Sequence, residues 1–178
     1  MAQAKKKKTF FSVDIPIVEK EAHLQAYEVK ELAGRIINYD LTRILRGKGA
    51  MLQLKVEIDG EKINAVPRQL KLMPYFLKRM VRKGTNYVED SFSAKCEDAQ
   101  MRIKPFLVTR RKVSRKVRKA LRDKAREEII DYIKNKKSAE LFDEIAKNTL
   151  QKPLSIKLKK IYPLSLCEIR VLKVERNE

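Results

Sequence analysis

Apolar and polar residues alternate most regularly between positions 50 and 66. The run Ala50–Ile58 reads AMLQLKVEI, Asp59-Gly60 follows it, and a second alternating run begins at Lys62. Period-two alternation is typical of a strand with one buried face, and an Asp-Gly pair between two such runs is typical of a tight hairpin turn. The sequence therefore predicts an antiparallel hairpin here, with residues 67–71 as a connector.

A four-residue period replaces this alternation from Lys112 onward. Apolar side chains that recur four residues apart form one stripe along an α-helix. The stripe comprises Val113, Val117, Leu121, Ala125, Ile129 and Ile133. The pattern predicts a long helix that packs this stripe on a core and turns its other faces toward solvent or a partner.

Shorter patterns predict the remaining elements. Pro74 and Gly84 bracket a short helix, Ser138 is a candidate N-cap for a helix over 139–149, and Pro153 can begin another. Extended segments are predicted at about 9–18, 34–40, 86–96, 100–109 and 164–174. In the last of these, strict alternation places Arg170 and Leu172 on the same face. The sum is an α+β fold: an antiparallel β-barrel-like core of about six strands flanked by helices.

The chain is long enough to enclose a hydrophobic core. It has 178 residues, of which 43% are apolar, and this size corresponds to one domain. Residues 1–8, MAQAKKKK, have no periodicity and end in four lysines, so they cannot bury apolar area. The sequence predicts a disordered basic tail over 1–8 and a single α+β domain over 9–178.

The charge of the chain is strongly one-sided. Lys and Arg number 42 against 23 Asp and Glu, which gives a net charge of +19. The densest segment spans 102–126 and contains about a dozen cations with one acid, Asp123. Its helix also begins with cations, although the helix dipole favours acids at that end. Since a phosphate backbone is the commonest polyanion that such a surface binds, the pattern predicts nucleic-acid binding.

The candidate contacts fall into a main set and a secondary set. The alternative for the helix is an ordinary solvated charged face, and the alternative for the tail is a feature that serves only solubility. The main set is Arg110, Arg111, Lys112, Arg115, Lys116, Arg118, Lys119 and Arg122. The secondary set is Lys5, Lys6, Lys7, Lys8, Arg46 and Lys48. The Arg46–Gly49 stretch lacks the glycine spacing and the Ser or Thr of a nucleotide-binding loop, so a basic turn is expected there.

The sequence offers little material for catalysis or metal binding. His23 is the single histidine, and Cys96 and Cys167 are not in a Cys-x-x-Cys pair, so neither a nucleophile–base pair nor a zinc site is expected. We predict no cofactor, no metal and no enzymatic activity, with both cysteines as buried free thiols. No apolar run approaches the ~18 residues that span a bilayer, and a soluble intracellular protein without membrane contact is expected.

An ordered set of short segments resembles a known family. The set comprises Gly34-Arg35 opening a strand that runs to Asp40-Leu41, the Asp59-Gly60 region, the basic helix with Arg115, Arg118 and Lys119, Ile161-Tyr162-Pro163-Leu164, and a final strand with Arg170 and Lys173. In this order, over roughly residues 9–175, it resembles a small-subunit ribosomal protein family of archaea and eukaryotes. That family is named eS-one, formerly S-three-A-e.

The resemblance implies a β-barrel core flanked by helices on the platform of the small ribosomal subunit. It implies contact with the 3′ region of the small-subunit rRNA near the mRNA exit, and a ribosome-bound protein in the cytoplasm. Neighbouring ribosomal proteins are implied as partners, and mRNA near the exit is a further candidate. Because the chain ends soon after Val174, without the long extension of eukaryotic members, an archaeal-type member is expected.

Two other functions fit parts of the pattern. A free-standing architectural or regulatory protein that binds RNA or DNA would usually present a recognition helix with base-reading side chains, and the cations here lack that spacing. An RNA-processing nuclease would need two or three acids clustered around Mg²⁺. Aromatic residues make up 7% of the chain with no Trp, which disfavours a single-strand binder that works by base stacking.

Overall fold

The α+β class is confirmed by the structure, a computed structural model that describes residues 7–45, 47–60 and 62–177. The strands within these residues are β1 (Thr9–Ile15), β2 (Lys20–Ala26), β3 (Ile36–Asp40), β4 (Ala50–Asp59), β5 (Lys62–Leu72), β6 (Tyr87–Glu89), β7 (Phe92–Lys95), β8 (Ala99–Thr109) and β9 (Leu164–Asn177). The helices are α1 (Pro74–Met80), α2 (Arg115–Ile133), α3 (Ser138–Ala146) and α4 (Gln151–Lys159), with a short 3-10 helix at Val29–Leu32. The described residues thus form nine strands rather than about six, in a sheet that does not close.

The chain forms two compact units. The first contains residues up to Tyr39 together with Gln53–Arg68, and the second contains Asp40–Leu52 and everything from Gln69 onward. That residues 9–178 act as one RNA-binding domain stays a prediction. No helix within the described residues is both long enough and apolar enough to cross a lipid bilayer.

The first unit begins with an antiparallel hairpin of β1 and β2, from the Thr9–Ala26 pair to the Ile15–Lys20 pair. The extended segment predicted at 9–18 is therefore present, but β2 was not predicted. Its inward positions carry small alanines and one leucine, which give a weak alternation signal, and only Ala26 is fully buried. The strand predicted at 34–40 corresponds to β3.

The hairpin predicted around Asp59-Gly60 is confirmed, with β4 and β5 as its strands. Gly60 has a φ of 65°, which a side chain would disfavour and which this turn requires. The connector predicted at 67–71 is wrong, because β5 continues through Pro67 to Leu72. Pairing with β9 begins only at Gln69, so the missing N–H of Pro67 lies outside that ladder.

In the second unit, β8 pairs with β9 along its length and with β6 and β7 on its other side. The strand predicted at 86–96 is interrupted, since Asp90 and Ser91 separate β6 from β7. The predicted placement of Arg170 and Leu172 on one face is also wrong. Lys104 pairs with Val171 and Pro105 with Ile169, so Arg170 is an extra residue in a bulge. Leu172 is buried, whereas Arg170 is half-buried and lines an open cleft.

The helices of the second unit bury the faces that the sequence predicts. α2 buries Leu121, Ala125, Ile129 and Ile133, and α3 buries Leu141, Phe142 and Ile145. Their boundaries differ from prediction, because α2 begins at Arg115 rather than Lys112 and α4 begins two residues before Pro153. α4 packs on α2 and β9, and Lys157 forms an ion pair with Glu128.

Ser138 is not the N-cap of α3, which the structure places at Lys137. Its backbone N–H donates instead to Asp98 Oδ1 at 2.8 Å, and its hydroxyl donates to Asp98 Oδ2 at 2.6 Å. Burial alone would raise the pKa of Asp98, but the hydrogen bonds that its carboxylate accepts, chiefly from Ser138 and also from Cys96, together outweigh burial and hold that pKa below its usual value. An ionised Asp98 therefore ties the β7–β8 turn to the start of α3.

Both cysteines are free thiols, as predicted, but only one of them is fully buried. Cys96 is buried and Cys167 is half-buried. His23 is exposed on β2, and its Nδ1 lies 3.3 Å from the Ser12 hydroxyl oxygen.

Candidate nucleic-acid interface

The connector between β8 and α2 is fixed by hydrogen bonds to the start of β6. Thr109, which is fully buried, accepts from the Asn86 backbone N–H at 3.0 Å, and its Oγ1 lies 2.7 Å from the Arg111 carbonyl oxygen. The Asn86 side-chain oxygen accepts from the Val113 N–H at 2.9 Å. Residues 110–113 are thus held in place although the side chains of residues 110–112 face solvent.

Ser114 then begins the helix. It adopts an extended backbone, and its hydroxyl oxygen accepts from the Val117 N–H at 3.4 Å, as an N-cap residue does. Sequence reasoning did not assign this cap, although a serine just before the first periodic turn is the usual signal for one. The cap fixes where α2 starts and therefore which side chains its first turns present.

The main set of predicted contacts lies on the open face of this segment. Seven of its eight residues are exposed, and Arg118 is half-buried. Among the described residues, none of the eight forms an ion pair with a carboxylate, and all eight lie between positions 110 and 122. Their positive charge is therefore not compensated within the described part of the protein.

Several cations further along the helical region do have carboxylate partners. Lys124 lies 2.9 Å from a Glu127 carboxylate oxygen and 3.4 Å from one of Glu128. Lys134 pairs with Asp131 at 3.0 Å. The hydrogen bond from Lys157 and the pairing with Lys124 hold the pKa of Glu128 below its usual value. The cations at positions 110–122 are thus uncompensated within the described residues, whereas Lys124, Lys134 and Lys157 further along the helical region have carboxylate partners.

Four of the predicted cations come together around one cleft. Arg115, Arg118, Lys119 and Arg122 line a cleft of about 260 Å³ together with Tyr87 and Val88 of β6. The Nε of Arg118 is buried and has no hydrogen-bond partner among the described residues. A buried donor without a partner costs free energy unless a ligand or water satisfies it. We call this site the basic cleft; its lining has the charge and the unsatisfied donor that suit a phosphate.

A second group of cations lies on the face of the sheet, and sequence reasoning missed it. These residues are Lys71, Arg102, Lys104, Arg170 and Lys173, and with Arg122 they line an open cleft of about 850 Å³. Arg102 pairs with Glu175 at 2.7 Å and Arg170 with Glu89 at 3.0 Å. The hydrogen bonds from Ser93 and Arg102 hold the pKa of Glu175 below its usual value, so that acid stays ionised.

The period-two spacing of Arg102 and Lys104 on β8 was a signal for this sheet-face cleft. Arg170 gave no such signal, because the bulge that places it there is invisible in the sequence. Arg122 lines both clefts, so the basic surface continues from α2 onto the sheet.

The secondary set is only partly described. Lys5, Lys6 and Arg46 lie outside the described residues. Lys7 and Lys8 are exposed, and the Lys8 Nζ lies 5.4 Å from the centre of the Tyr27 ring. Lys48 is largely buried and its ammonium binds a Glu168 carboxylate oxygen at 2.5 Å and the Asn148 side-chain oxygen at 2.7 Å. The structure therefore gives Lys48 an internal partner and does not bring it to the basic cleft.

The described residues contain no cluster of three or more His, Cys, Asp or Glu side chains that could hold a metal ion. The acids near the basic surface instead pair with arginines, as Glu89 and Glu175 do. These arrangements are those of surface ion pairs rather than of metal ligands.

Comparison with known families matches residues 2–178 to the Ribosomal S3Ae family. The chain belongs to the Ribosomal S3Ae family. This agrees with the resemblance carried by the ordered segments from Gly34 to Lys173.

Individual relatives of this Ribosomal S3Ae chain are archaeal. It is 26% identical over 183 aligned positions to the small ribosomal subunit protein eS1 of Nanoarchaeum equitans, covering 97% of this chain and 91% of that protein. It is 26% identical to the eS1 protein of Pyrobaculum arsenaticum and 28% identical to that of Pyrobaculum aerophilum. Each of these alignments spans 158 positions and covers 86% of this chain and 72% of the relative.

Proposed function

We propose that this protein is a structural constituent of the small ribosomal subunit and stabilises folded rRNA through contacts with its phosphate backbone. Membership of the Ribosomal S3Ae family supports the ribosomal assignment, as do relatives named small ribosomal subunit protein eS1. The protein acts by neutralising charge and performs no reaction.

The observation that carries the RNA contact is the density of cations between positions 110 and 122 that have no carboxylate partner in the described part of the chain. Cations at positions 110–122 have no carboxylate partner among the described residues, whereas Lys124 and Lys134 do. Ion pairs within the protein would be the cheapest way to offset like-charge repulsion. Leaving the exposed cations of one segment uncompensated is favourable when an external polyanion supplies the negative charge, and rRNA phosphates do so.

Helical cations suit double-stranded RNA in particular. The deep groove of A-form RNA hides base edges, so proteins recognise its shape through phosphates and 2′-hydroxyls. The first turns of α2 present Arg115, Lys116 and Lys119 on a helix fixed by the Ser114 cap. Side chains on a rigid element lose less freedom when they bind, which favours contact with an equally fixed RNA surface.

The proposed place of the protein is the platform of the small subunit, against the 3′ region of the rRNA near the mRNA exit. This location rests on the family resemblance and includes neighbouring ribosomal proteins as partners, with mRNA at the exit as a further one. The basic face of α2 and the sheet-face cleft are the surfaces that would meet RNA there.

Sedimentation of a native lysate through a sucrose gradient tests the ribosomal assignment. We expect the protein to migrate with small subunits and to remain there in moderately high salt. Migration at the top of the gradient, away from every ribosomal particle, would contradict the proposal. It would favour a free-standing nucleic-acid-binding protein, whose ligand would then be sought among RNA and duplex DNA.

A charge-reversal variant tests the assigned surface. We expect Arg115→Glu, Lys119→Glu and Arg122→Glu together to reduce the fraction that migrates with small subunits, because all three residues line the basic cleft. The matched control is Lys152→Glu, Lys159→Glu and Lys160→Glu, which makes the same change in net charge on exposed positions of and beside α4. Equal incorporation of both variants would reject the α2 surface. RNA crosslinks mapped to the 3′ region would support the location.

A further inference from the structure

The aromatic ring of Tyr87 stands where the basic cleft meets an apolar one. Tyr87 on β6 lines the basic cleft together with Arg115, Arg118, Lys119 and Arg122. It also lines a second cleft of about 410 Å³, whose apolar residues are Pro74, Leu77, Val81 and Phe106 and whose polar residues are Lys78, Glu89 and Arg170. Volumes of ~300–1,000 Å³ are usual for sites that take small molecules.

The ring itself is held firmly and left open. It stacks on the buried Phe106 ring with centroids 6.0 Å apart and an angle of 22° between the planes. Tyr87 is nevertheless 54% exposed. An exposed aromatic ring that is fixed from behind can accept a second flat ring at little entropic cost.

We infer that Tyr87 is the stacking platform for one unpaired nucleotide of the bound RNA, and this inference rests on the proposed function. The base would lie on Tyr87 in the apolar cleft, while cations of the basic cleft would hold the adjoining phosphates. The Tyr87 ring borders an apolar cleft and a cationic cleft. These two linings match the two parts of a nucleotide, an apolar base and an anionic phosphate. Proteins that recognise unpaired RNA combine the same two elements.

The polar residues of the apolar cleft suit the edge of a base. Glu89 and Arg170 form an ion pair at 3.0 Å, and both side chains are 40% exposed. A carboxylate accepts hydrogen bonds from the exocyclic amino groups of bases, and a guanidinium donates to their ring nitrogens and carbonyl oxygens. The bulge of β9 supplies Arg170 to this pair. A segment of a neighbouring protein would compensate less of the positive charge on the other side of Tyr87.

The charge on the surrounding surface argues for RNA as the occupant. The four cations of the basic cleft have no carboxylate partner among the described residues, and the Arg118 Nε is buried without a hydrogen bond. An apolar peptide would leave both features unsatisfied. A nucleotide whose phosphate reaches Arg118 would satisfy both at once.

A bulged hairpin RNA that carries one unpaired 2-aminopurine tests the site against the same hairpin fully paired. At low salt we expect the wild-type protein to bind the bulged RNA about tenfold more tightly, since only the unpaired base can stack on the ring. We also expect the fluorescence of the 2-aminopurine to change on binding. Wild-type protein that binds both RNAs equally, without a fluorescence change, would overturn the inference.

Three variants distinguish the effect of the Tyr87 ring on RNA binding from an effect on the strand β6 that carries it. Tyr87→Val keeps a good strand former but removes the ring, so the preference for the bulged RNA over the paired RNA should vanish. Tyr87→Phe should keep the preference. Phe10→Val, at an exposed aromatic position on β1, is the matched control and should also keep it.

The two proposals fail in different ways. Persistence of the preference in a folded Tyr87→Val protein would overturn the stacking site while leaving phosphate binding intact. Wild-type protein that binds neither hairpin at low salt would overturn the proposed RNA binding itself.

Discussion

Lys48 is a cation whose side chain is largely buried in the fold. Its side chain is 12% exposed and that of Glu168 is 13% exposed, with 2.5 Å between the ammonium and the carboxylate. Asn148 accepts a second hydrogen bond from the ammonium at 2.7 Å. A buried ion pair is sensitive to the loss of one partner, because the remaining charge is left without compensation.

Lys48→Met should therefore lower the free energy of unfolding by about 3 kcal/mol, because it leaves Glu168 buried without its cation. The double variant Lys48→Met with Glu168→Leu should recover part of this loss, since no charge then remains buried. Urea unfolding measures both. Lys112→Met, at an exposed position, is the control and should stay within about 0.5 kcal/mol of wild type. A single Lys48 variant as stable as wild type would show that the pair contributes nothing.

Cys167 is a thiol whose surroundings suppress ionisation. Burial, with a smaller contribution from the Glu168 carboxylate, raises the pKa of Cys167 to about 12. A raised thiol pKa contributes stability that is complete below the ordinary value of 9.0 and is lost as the pH rises from 9.0 to about 12.

The folded protein should consequently resist alkylation at Cys167 up to about pH 10, because the thiolate is the reactive form. Peptide mass mapping after iodoacetamide treatment measures the modified fraction at each pH. Protein unfolded in urea is the control and should be modified at Cys167 near pH 9. Rapid modification of the folded protein at pH 8 would mean that the thiol is not shielded.

The start of α2 carries the wrong charge for its own stability. Arg115 and Lys116 occupy its first turn, and no acidic residue is present there. The N-terminal end of a helix bears a partial positive charge, so these cations repel it. The Ser114 cap offsets part of this cost. The charge at the start of α2 therefore does not serve the stability of the helix.

Lys116→Glu should accordingly separate stability from binding. We expect the free energy of unfolding to rise by about 0.3–1 kcal/mol, since an acid in the first turn complements the dipole, and RNA affinity to fall. Thermal unfolding and an RNA-binding titration measure the two effects. Lys159→Glu in the last turn of α4 is the control and should lower stability slightly without weakening RNA binding. A parallel rise or fall of both quantities in Lys116→Glu would contradict this account.

Elements were predictable where one signal dominated. The Asp59-Gly60 hairpin and the four-residue stripe of α2 follow from local pattern alone, and both are present. β2 was not predicted because its alanines give little contrast between inward and outward positions. The full length of β5 was not predicted because Pro67 suggested that the strand ended there. The bulge at Arg170 depends on pairing between distant strands, which local pattern does not encode.

The residues of the candidate site were likewise predictable only where their signal is local in the sequence. The cations of α2 could be found because they are contiguous in sequence. The sheet-face cleft gathers residues from β5, β8 and β9, so only the pairing of these strands reveals it. Tyr87 had no signal in the sequence, because only the two clefts that it lines single it out. The low aromatic content of the chain had instead argued against base stacking.

At the scale of the whole molecule, a net charge of +19 accompanies a proposed RNA binding that should depend on salt. A protein that neutralises phosphates releases counterions, so the logarithm of the binding constant falls linearly with the logarithm of the salt concentration. The slope reports how many phosphates are contacted. Charges that lie away from the RNA contribute little to it.

The triple variant with Arg115, Lys119 and Arg122 replaced by Glu should reduce the magnitude of this slope by about two units, because each lost phosphate contact removes ~0.7–0.9. Titration of a labelled rRNA fragment at several salt concentrations measures it. The α4 charge-reversal variant, with the same net charge, should keep the wild-type slope. Equal slopes in the two variants would show that total charge rather than position governs binding.

The order in which the chain supplies its two units has a consequence for synthesis. Every residue of the first unit has been made once Arg68 is in place, but residues 40–52 belong to the second unit. Within that stretch, the Lys48 ammonium can bind Asn148 and Glu168 only after these residues have been made. They are 100 and 120 residues further along the chain. No single cut yields both units as continuous fragments. The second unit, which carries the basic surface, is completed only after the residues of β9 have been made.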